Sequence, residues 1–538
     1  MKLIGHIRRF GLPTLRDLVG ETLLKAIEGC APSEQESQLA EILLLRFGYK
    51  ILDVKEIRKA IVDSLSEPEG IELARSAGLS APTHIQRSLL LAEHFKSYNL
   101  QKSNQLVTFL DLPQPYIYFL NRDERTPIEV LNIQGDEEVR LKPYLHAYQK
   151  VLKDDISKRL KAGSGRFMVQ MPTGAGKTYT ALEVIVDTMR SPGSTSFVVW
   201  IVDSNELAEQ ALESFRILWK LKGDKPLTIG RLFNKFCPSF ADCITGGVVF
   251  SSFDKVNAIL TDSSHPDRLK LTNLLGRTQL LIVDEAHASI ARTYRNCIEA
   301  FSDNSSVQII GLTATPGRPS PDESAELSHV FSSTLIGLKD SKGQLIEDPI
   351  HFLQTNQYLA TLEYELLETG ISVADSNEQL ICRNLAQNST RNSKIVDQIQ
   401  IAHQSQELTA VFSCTLDHVF ALKVMCSKKL IPCEVIVGET PQNERIEILR
   451  RFKDRQFFVL LNLDILSTGI DIPKLQKLIL TRPIGSPILY SQILGRALRG
   501  PKNGGNLSNK VINLKDNLIN FPNANLLYSH FWEAWVRY

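Results

Sequence analysis

The feature that most constrains this chain is a series of short apolar, β-branched runs, each followed by a stretch long enough for a helix. One set lies at 167–171, 197–203, 248–251, 280–284 and 308–312, and a second at 409–413, 433–437, 457–461, 477–480 and 510–513. The runs are apolar throughout rather than alternating, so both faces of each strand are expected to be buried. Strands separated by helix-length segments pair in parallel, because a parallel neighbour requires a crossover connection. The Pro-Gly-Arg-Pro-Ser-Pro stretch at 316–321 and Ser341-Lys342-Gly343 between the sets read as loop and linker. Two α/β units with parallel sheets are therefore expected in tandem.

The first 140 residues have helical periodicity instead. Ser33 with Glu36 reads as a capping box before Leu39, Ile42, Leu43 and Leu44. Asp53 with Glu56 opens a second helix carrying Ile57, Ala60, Ile61 and Leu65, and a third over 83–97 presents Ile85, Leu89, Leu90 and Phe95 as its apolar face. From about 105 to 140 the pattern turns strand-like. The expected boundaries are 1–140 for a mainly helical region and 141–345 and 346–538 for the two α/β domains. A length of 538 residues accommodates three such units at roughly 150 residues each.

Charge narrows the choice of partner. Lys plus Arg number 61 and Asp plus Glu 60, so no overall field attracts a polyanion and any nucleic-acid site must be local. Residues 1–140 hold 17 basic and 20 acidic side chains and form no electrostatic clamp. Within them, Leu73 to Ser80 can be read as a helix-turn-helix or as an ordinary helix pair with Gly78 at the first helix's end; the second reading is preferred. Eight scattered cysteines without a Cys-x-x-Cys pair fit reduced thiols. No leader or run of about 18 apolar residues is evident, so a cytoplasmic chain with no membrane partner is expected.

Two motifs carry the chemistry. After the 167–171 run comes Pro172-Thr173-Gly174-Ala175-Gly176-Lys177-Thr178, then a helical stretch. A glycine-rich loop between strand and helix presents backbone N–H groups and a helix N-terminus to phosphate, with Lys177 reaching the β/γ oxygens and Thr178 a Mg2+ ion. The strict pattern has glycine six positions before Lys177, where this chain has Met171. Leu281-Ile282-Val283-Asp284-Glu285-Ala286-His287 then ends another apolar run in two acids, Asp284 to hold Mg2+ and Glu285 to deprotonate an attacking water.

With Leu312-Thr313-Ala314-Thr315-Pro316 and Gln492-Ile493-Leu494-Gly495-Arg496-Ala497-Leu498-Arg499 downstream, these motifs occur in a familiar order. Over about 141–515 the chain closely resembles superfamily 2 helicases and translocases of the DEAD/DEAH class. It is most similar to the group containing the type III restriction Res subunit. The resemblance implies two RecA-like domains with ATP and Mg2+ bound between them. Gln149, in Leu145-His146-Ala147-Tyr148-Gln149, would read adenine, and Thr173, Gly174, Ala175, Gly176, Lys177 and Thr178 would cradle phosphate. Gly469 and Asp471 would sense nucleotide across the cleft, and Thr313 and Thr315 would couple hydrolysis to the nucleic-acid path. Ser204, Ser252 and Thr415 would contact nucleic-acid phosphates, and Gln492, Arg496 and Arg499 would serve catalysis. Arg496 and Arg499, three apart, are expected on one helical face aimed at the opposite domain.

The same resemblance implies an ATP hydrolase driven along or remodelling nucleic acid, with DNA favoured over RNA on the spelling of the phosphate loop and the Gln492–Arg499 motif. Alternatives are a nucleic-acid-sensing clamp that recruits a partner without unwinding, and an RNA helicase. Asp53-Val54-Lys55 and Asp340-Ser341-Lys342 are mere fragments of a metal-nuclease pattern, so a nuclease is expected as a separate partner protein, in an anti-phage defence or restriction complex. The N-terminal region would then be a docking or recognition piece dispensable for hydrolysis.

Overall fold

The computed structural model of the chain describes residues 2–28, 36–80, 83–96, 99–113, 116, 125–132, 144–163, 165–191, 195–241, 243, 245–303, 306–318, 320–371, 377–438, 440–463, 472, 474–484, 487–518 and 534–538. Strands are numbered in chain order: β1 Ile128–Leu131, β2 Arg166–Gln170, β3 Phe197–Val202, β4 Leu227–Leu232, β5 Gly247–Ser252, β6 Thr278–Val283, β7 Gln308–Thr313 and β8 Thr334–Ile336. They continue as β9 Thr361–Leu367, β10 Thr409–Phe412, β11 Cys433–Ile436, β12 Val459–Asn462, β13 Lys477–Leu480, β14 Ser508–Leu514 and β15 Val536–Arg537.

One sheet has the order β1-β4-β5-β3-β6-β7-β2-β8-β15 and is parallel except for the edge strand β1. The other, β11-β12-β10-β13-β14-β9, is parallel throughout. Every apolar run read from the sequence is a strand of one of them, which makes the two-domain α/β expectation correct. The sheets cross the expected boundaries in two places. β1 lies inside 1–140, and β15 returns to the first sheet from beyond the second. In the first sheet side chains alternate between two cores: Val198, Trp200 and Phe250 face one helical layer, and Phe197, Val199 and Val249 the other. Burial on both faces is the reason these strands carry no polar alternation.

The N-terminal region is helical: Lys2–Arg8, Leu12–Val19, Glu21–Ala26, Glu36–Phe47, Lys55–Asp63, Glu67–Ser76, His84–His94 and Leu100–Phe109. The strand-like expectation for 105–140 fails at its start. Asn99 caps the Leu100–Phe109 helix by accepting from Lys102 N, and Ser103, Leu106, Val107 and Leu110 fall on one buried face at helical spacing. Ser33 lies outside the described residues. Asp53 ends a short 3-10 helix, and Val54 rather than Asp53 precedes Lys55–Asp63. Of the apolar face expected over 83–97 only Phe95 is buried: Ile85, Leu89 and Leu90 are 73 %, 67 % and 41 % exposed, and Leu91 is buried instead. Gly78 takes a left-handed φ of 68° beyond Glu67–Ser76, and the next helix starts only at His84. That gap exceeds the 3–4 residue turn of a DNA-reading pair, in line with the ordinary helix-pair reading.

These helices share a core with the second sheet. Leu23, Leu39, Ile42 and Leu43 join one apolar cluster with Ile395, Val396, Val419, Leu422, Met425, Val411 and Leu461. Arg46 pairs with Asp417 at 3.1 Å, Lys50 with Glu444 at 2.7 Å, and Asn392 Nδ2 donates to Ala26 O at 3.1 Å. A dispensable appendage would not leave such a surface behind; removing the helices would bare the Leu416–Lys428 helix of the second domain. Leu23→Ala is therefore expected to cost about 2–5 kcal/mol and to lower the unfolding midpoint of the N-terminal helices and the second domain together. Calorimetry showing two separate transitions, with only one displaced, would contradict a shared core.

Candidate active site

β2 delivers the chain into the phosphate loop. Met171, just past β2, occupies the position where strict sequence patterns place glycine, and hydrogen bonding to β7 still continues there. Its N–H donates to Thr313 O at 2.9 Å and its side chain is buried, so no unusual backbone angle is needed. The turn comes later: Gly174 and Gly176 have φ of 82° and 87°, a region that penalises any Cβ. Gly176 precedes the Lys177–Arg190 helix, whose first N–H groups and positive end face the loop. A Cβ on Gly176 would collide with the Gln149 amide. Gln149 is itself fixed, accepting from His146 N at 2.8 Å and donating to Ala175 O at 3.0 Å, while the Tyr148 hydroxyl donates to the same oxygen at 2.8 Å. Gln149 thereby shapes the phosphate loop.

β6 supplies the acids. Asp284 N donates to Ile201 O, continuing the sheet by one residue, and Glu285 then adopts a left-handed φ of 49°, a strained conformation for a residue with a side chain. The strain turns Glu285 toward Lys177, whose Nζ donates to Glu285 Oε1 at 2.8 Å and lies 3.3 Å from Asp284 Oδ1. Burial opposes the Lys177 charge, but Glu285 and Asp284 outweigh it and hold its pKa above the ordinary lysine value. Burial pushes Asp284 up from the usual carboxylate range, and Lys177 offsets this only in part. For Glu285 burial is outweighed by Lys177, then by His287, so its pKa falls and the carboxylate is the ionised partner of the lysine.

Behind them stands His287, driven down to about 4 chiefly by burial and thus neutral at pH 7. Its Nδ1 lies 3.3 Å from Thr313 Oγ1. That hydroxyl donates to Thr315 O at 3.0 Å and accepts from Thr315 N at 3.1 Å, so both predicted coupling threonines join one buried network with the acid segment. No sequence motif assigns His287 a role of its own; its burial and its Thr313 partner are set by β7, a strand distant in the chain.

The second sheet contributes the Pro487–Arg496 helix. Gly495 rests directly on the Thr173 side chain, and a Cβ on Gly174 would lie 3.3–3.6 Å from Leu359, Gly495 O and Leu498. Arg496 ends the helix and its charge acts on Glu285, as the arrangement of motifs predicts. Gln492 sits half-buried one turn earlier. Arg499 departs from expectation. The helix stops at Arg496, and Arg499 forms a bridge with Leu359, so the two arginines do not share a helical face. Gly469 and Asp471 lie outside the described residues. Across the same junction His146 Nε2 lies 2.7 Å from Asn503 Oδ1, and Tyr358 packs on the His146 and Tyr148 rings. No motif announced Tyr358 or Asn503.

The predicted nucleic-acid residues share a placement. Ser204, Ser252 and Thr415 are the N-cap residues of the Asn205–Lys222, Phe253–Thr261 and Leu416–Lys428 helices, following β3, β5 and β10. Ser204 accepts from Leu207 N at 3.3 Å and Thr415 from His418 N at 3.1 Å. Ser204 and Thr415 are half-buried, whereas Ser252 is 1 % exposed. Thr178, in the first turn of Lys177–Arg190, and Asp284 offer oxygen donors of the kind a hard cation takes. Among the described residues no group of three His, Cys, Asp or Glu side chains forms a metal cage, and no helix is long and apolar enough to cross a membrane.

Comparison with known proteins agrees with this geometry. Residues 142–318 match the family described as type III restriction enzyme, res subunit, and residues 390–501 the helicase conserved C-terminal domain. A putative mitochondrial ATP-dependent helicase, irc3 of Schizosaccharomyces pombe, is 28 % identical over 367 residues, 66 % of this chain and 55 % of that protein. The type I restriction enzyme EcoKI endonuclease subunit of Escherichia coli is 25 % identical over 409 residues, 66 % of this chain and 33 % of its own length. Among solved structures, the DUF1998 helicase MrfA bound to DNA superposes with a TM-score of 0.50 at 14 % identity, covering 72 % of this chain and 53 % of that one. The chain spans about half to three fifths of the first curated relatives it matches. Two matched segments in family order, on two sheets that meet at the phosphate loop, identify the chain as a superfamily 2 helicase whose first α/β domain is similar to the type III restriction res subunit.

Proposed function

We propose that this chain hydrolyses ATP between its two α/β domains and uses the cycle to move on or remodel nucleic acid, with DNA the favoured track. The observation that carries the reading is the Lys177 ammonium shared by Asp284 and Glu285, beneath a phosphate loop on which the second domain's Gly495 rests. Thr178 and Asp284 fit Mg2+, which takes few protein oxygens and completes its shell with phosphate and water. When bound, that ion would neutralise charge on the β- and γ-phosphates.

The protein groups have separable tasks. Lys177 holds Glu285 in an ion pair that keeps it a weak base. A triphosphate in the loop competes for the ammonium, frees Glu285, and lets its pKa rise toward the range where it accepts a proton from the attacking water. Arg496, already acting on Glu285 from across the cleft, would stabilise charge developing on the transferred phosphoryl group, with Gln492 beside it and Arg499 contributing from the segment after the helix. His287 and Thr313 carry the state of the acid segment to Thr315.

Helix N-termini capped by Ser204 and Thr415, one in each domain, suit phosphate contacts that read no sequence; Ser252 would need its neighbours to open first. DNA is favoured by the spelling of the phosphate loop and by relatives named as restriction subunits and a DNA-bound helicase. Their company also supports a protein partner such as a nuclease, and a role in restriction or defence against phage.

The test is steady-state ATPase with no polymer, duplex DNA, single-stranded DNA and RNA. DNA is expected to stimulate hydrolysis, and Lys177→Ala and Glu285→Gln each to lower it by about a hundredfold or more. Stimulation by RNA alone would replace the track, and no stimulation by any polymer would refute the motor reading. A second expectation follows from His287, which faces Glu285, Lys177, Arg318 and Asp203. Because its folded pKa is depressed to about 4, the unfolded chain takes up a proton first as pH falls below 6.5. The stability it contributes, about 3 kcal/mol, is present above pH 6.5 and lost as pH falls through 4. Denaturant titrations of nucleotide-free protein should show this loss diminished in His287→Gln; parallel curves for the two proteins would contradict it.

A further inference from the structure

The Thr315-Pro316 loop is held from two sides. From the active site, His287 and Thr313 fix it as described above. From the other side comes a segment that belongs to no motif and lies beyond both matched family regions, residues 534–538. There β15 adds to the edge of the first sheet beside β8, with Val536 N donating to Ser333 O at 2.8 Å and Tyr538 N to Leu335 O at 2.9 Å. Arg159 covers the Tyr538 ring at 4.1 Å. Just before this strand Trp535, 7 % exposed, enters the apolar cluster that contains Ala286, Phe331 and Leu335, and its indole Nε1 donates to Pro316 O at 2.6 Å.

The chemistry of that bond is specific. Pro316 has no N–H, so its own position cannot be fixed through a backbone donor, and a buried carbonyl left without a partner is costly. Indole is a donor only and cannot be satisfied by the many donors of the phosphate site. The bond therefore ties the far end of the coupling loop to β8, and β8 is the immediate neighbour of β2, the strand that enters the phosphate loop. One end of the loop reports on the acids and the other on the strand behind the phosphate cradle.

We infer that Trp535 is a positioning residue for coupling: through Pro316 it holds the Thr313–Thr315 loop in the arrangement by which nucleic acid accelerates hydrolysis. The inference rests on the motor reading above. It is tested on the full chain with Trp535→Phe, which keeps a buried ring and removes the donor, by the ratio of DNA-stimulated to basal kcat. The ratio is expected to fall about fivefold, within what one hydrogen bond sets, with the unfolding midpoint held within about 2 °C. Thr313→Val, which breaks the loop from its other side, is expected to lower the same ratio, and the double variant to be no worse than Thr313→Val alone.

A ratio unchanged in Trp535→Phe, including one in which both rates fall in proportion, would show a role in packing only and overturn the proposal. So would losses that multiply in the double variant. If the wild-type chain is stimulated and the variant equally so, the proposal alone fails. If no polymer stimulates the wild-type chain, the motor reading fails and takes the proposal with it.

Discussion

The structure is organised around one buried ammonium between two carboxylates, contributed by strands far apart in sequence. Lys177 follows β2 and the acids follow β6, and in the sheet β7 lies between them. In this half-buried cluster each member offsets the charge of the others, so removing one leaves a partner's charge uncompensated. The strand order has a further consequence. Because β7 separates the lysine strand from the acid strand, its terminal Thr313 necessarily touches both sides, accepting the Met171 N–H through its carbonyl and meeting His287 through its hydroxyl. The contact of Thr313 with both sides of the site thus follows from the topology.

The sequence disclosed those parts of the fold whose physical constraint is local. Strands buried on both faces must be apolar throughout, and all ten such runs are strands. Most of the strands it did not disclose lack that constraint; β4, buried along its whole length, is the exception, and there Thr228, Gly230 and Arg231 interrupt the apolar run. β9 is largely exposed along its length, β8 and β15 are three and two residues long, and β1 is an antiparallel edge. The phosphate loop and acid segment were legible because phosphate chemistry fixes residue type and spacing. Arg499 was not, because spacing of three implies one face only while a helix continues, and here the helix ends at Arg496. Ile85 and Leu89 mark the converse error: apolar residues at helical spacing do not reveal which side has a neighbour.

The N-terminal helices extend the same logic to the second domain. Their core is continuous with one face of the second sheet, and the helix they cover, Leu416–Lys428, begins at Thr415. An acid at Asp417, in the first turn of that helix, would repel a phosphate approaching its N-terminus. Arg46, from the N-terminal region, pairs with Asp417 and stacks on Phe47 and Phe420, so the local field at Thr415 depends on residues more than 350 positions away in the chain.

The junction of the two sheets is set by absent side chains. Gly495 lies against Thr173 so closely that any Cβ there would overlap it, and Gly174 opposes Leu359, Leu498 and the Gly495 carbonyl. Two glycines facing one another let the second domain approach the phosphate loop with only the Thr173, Leu359 and Leu498 side chains between them. A change in loop shape caused by phosphate is therefore passed to the second domain through few atoms. The same closeness brings the Arg496 charge within reach of Glu285. Packing at the glycines and electrostatics at the acids thus respond to a single movement, which is the condition for one nucleotide to control how the two domains sit together.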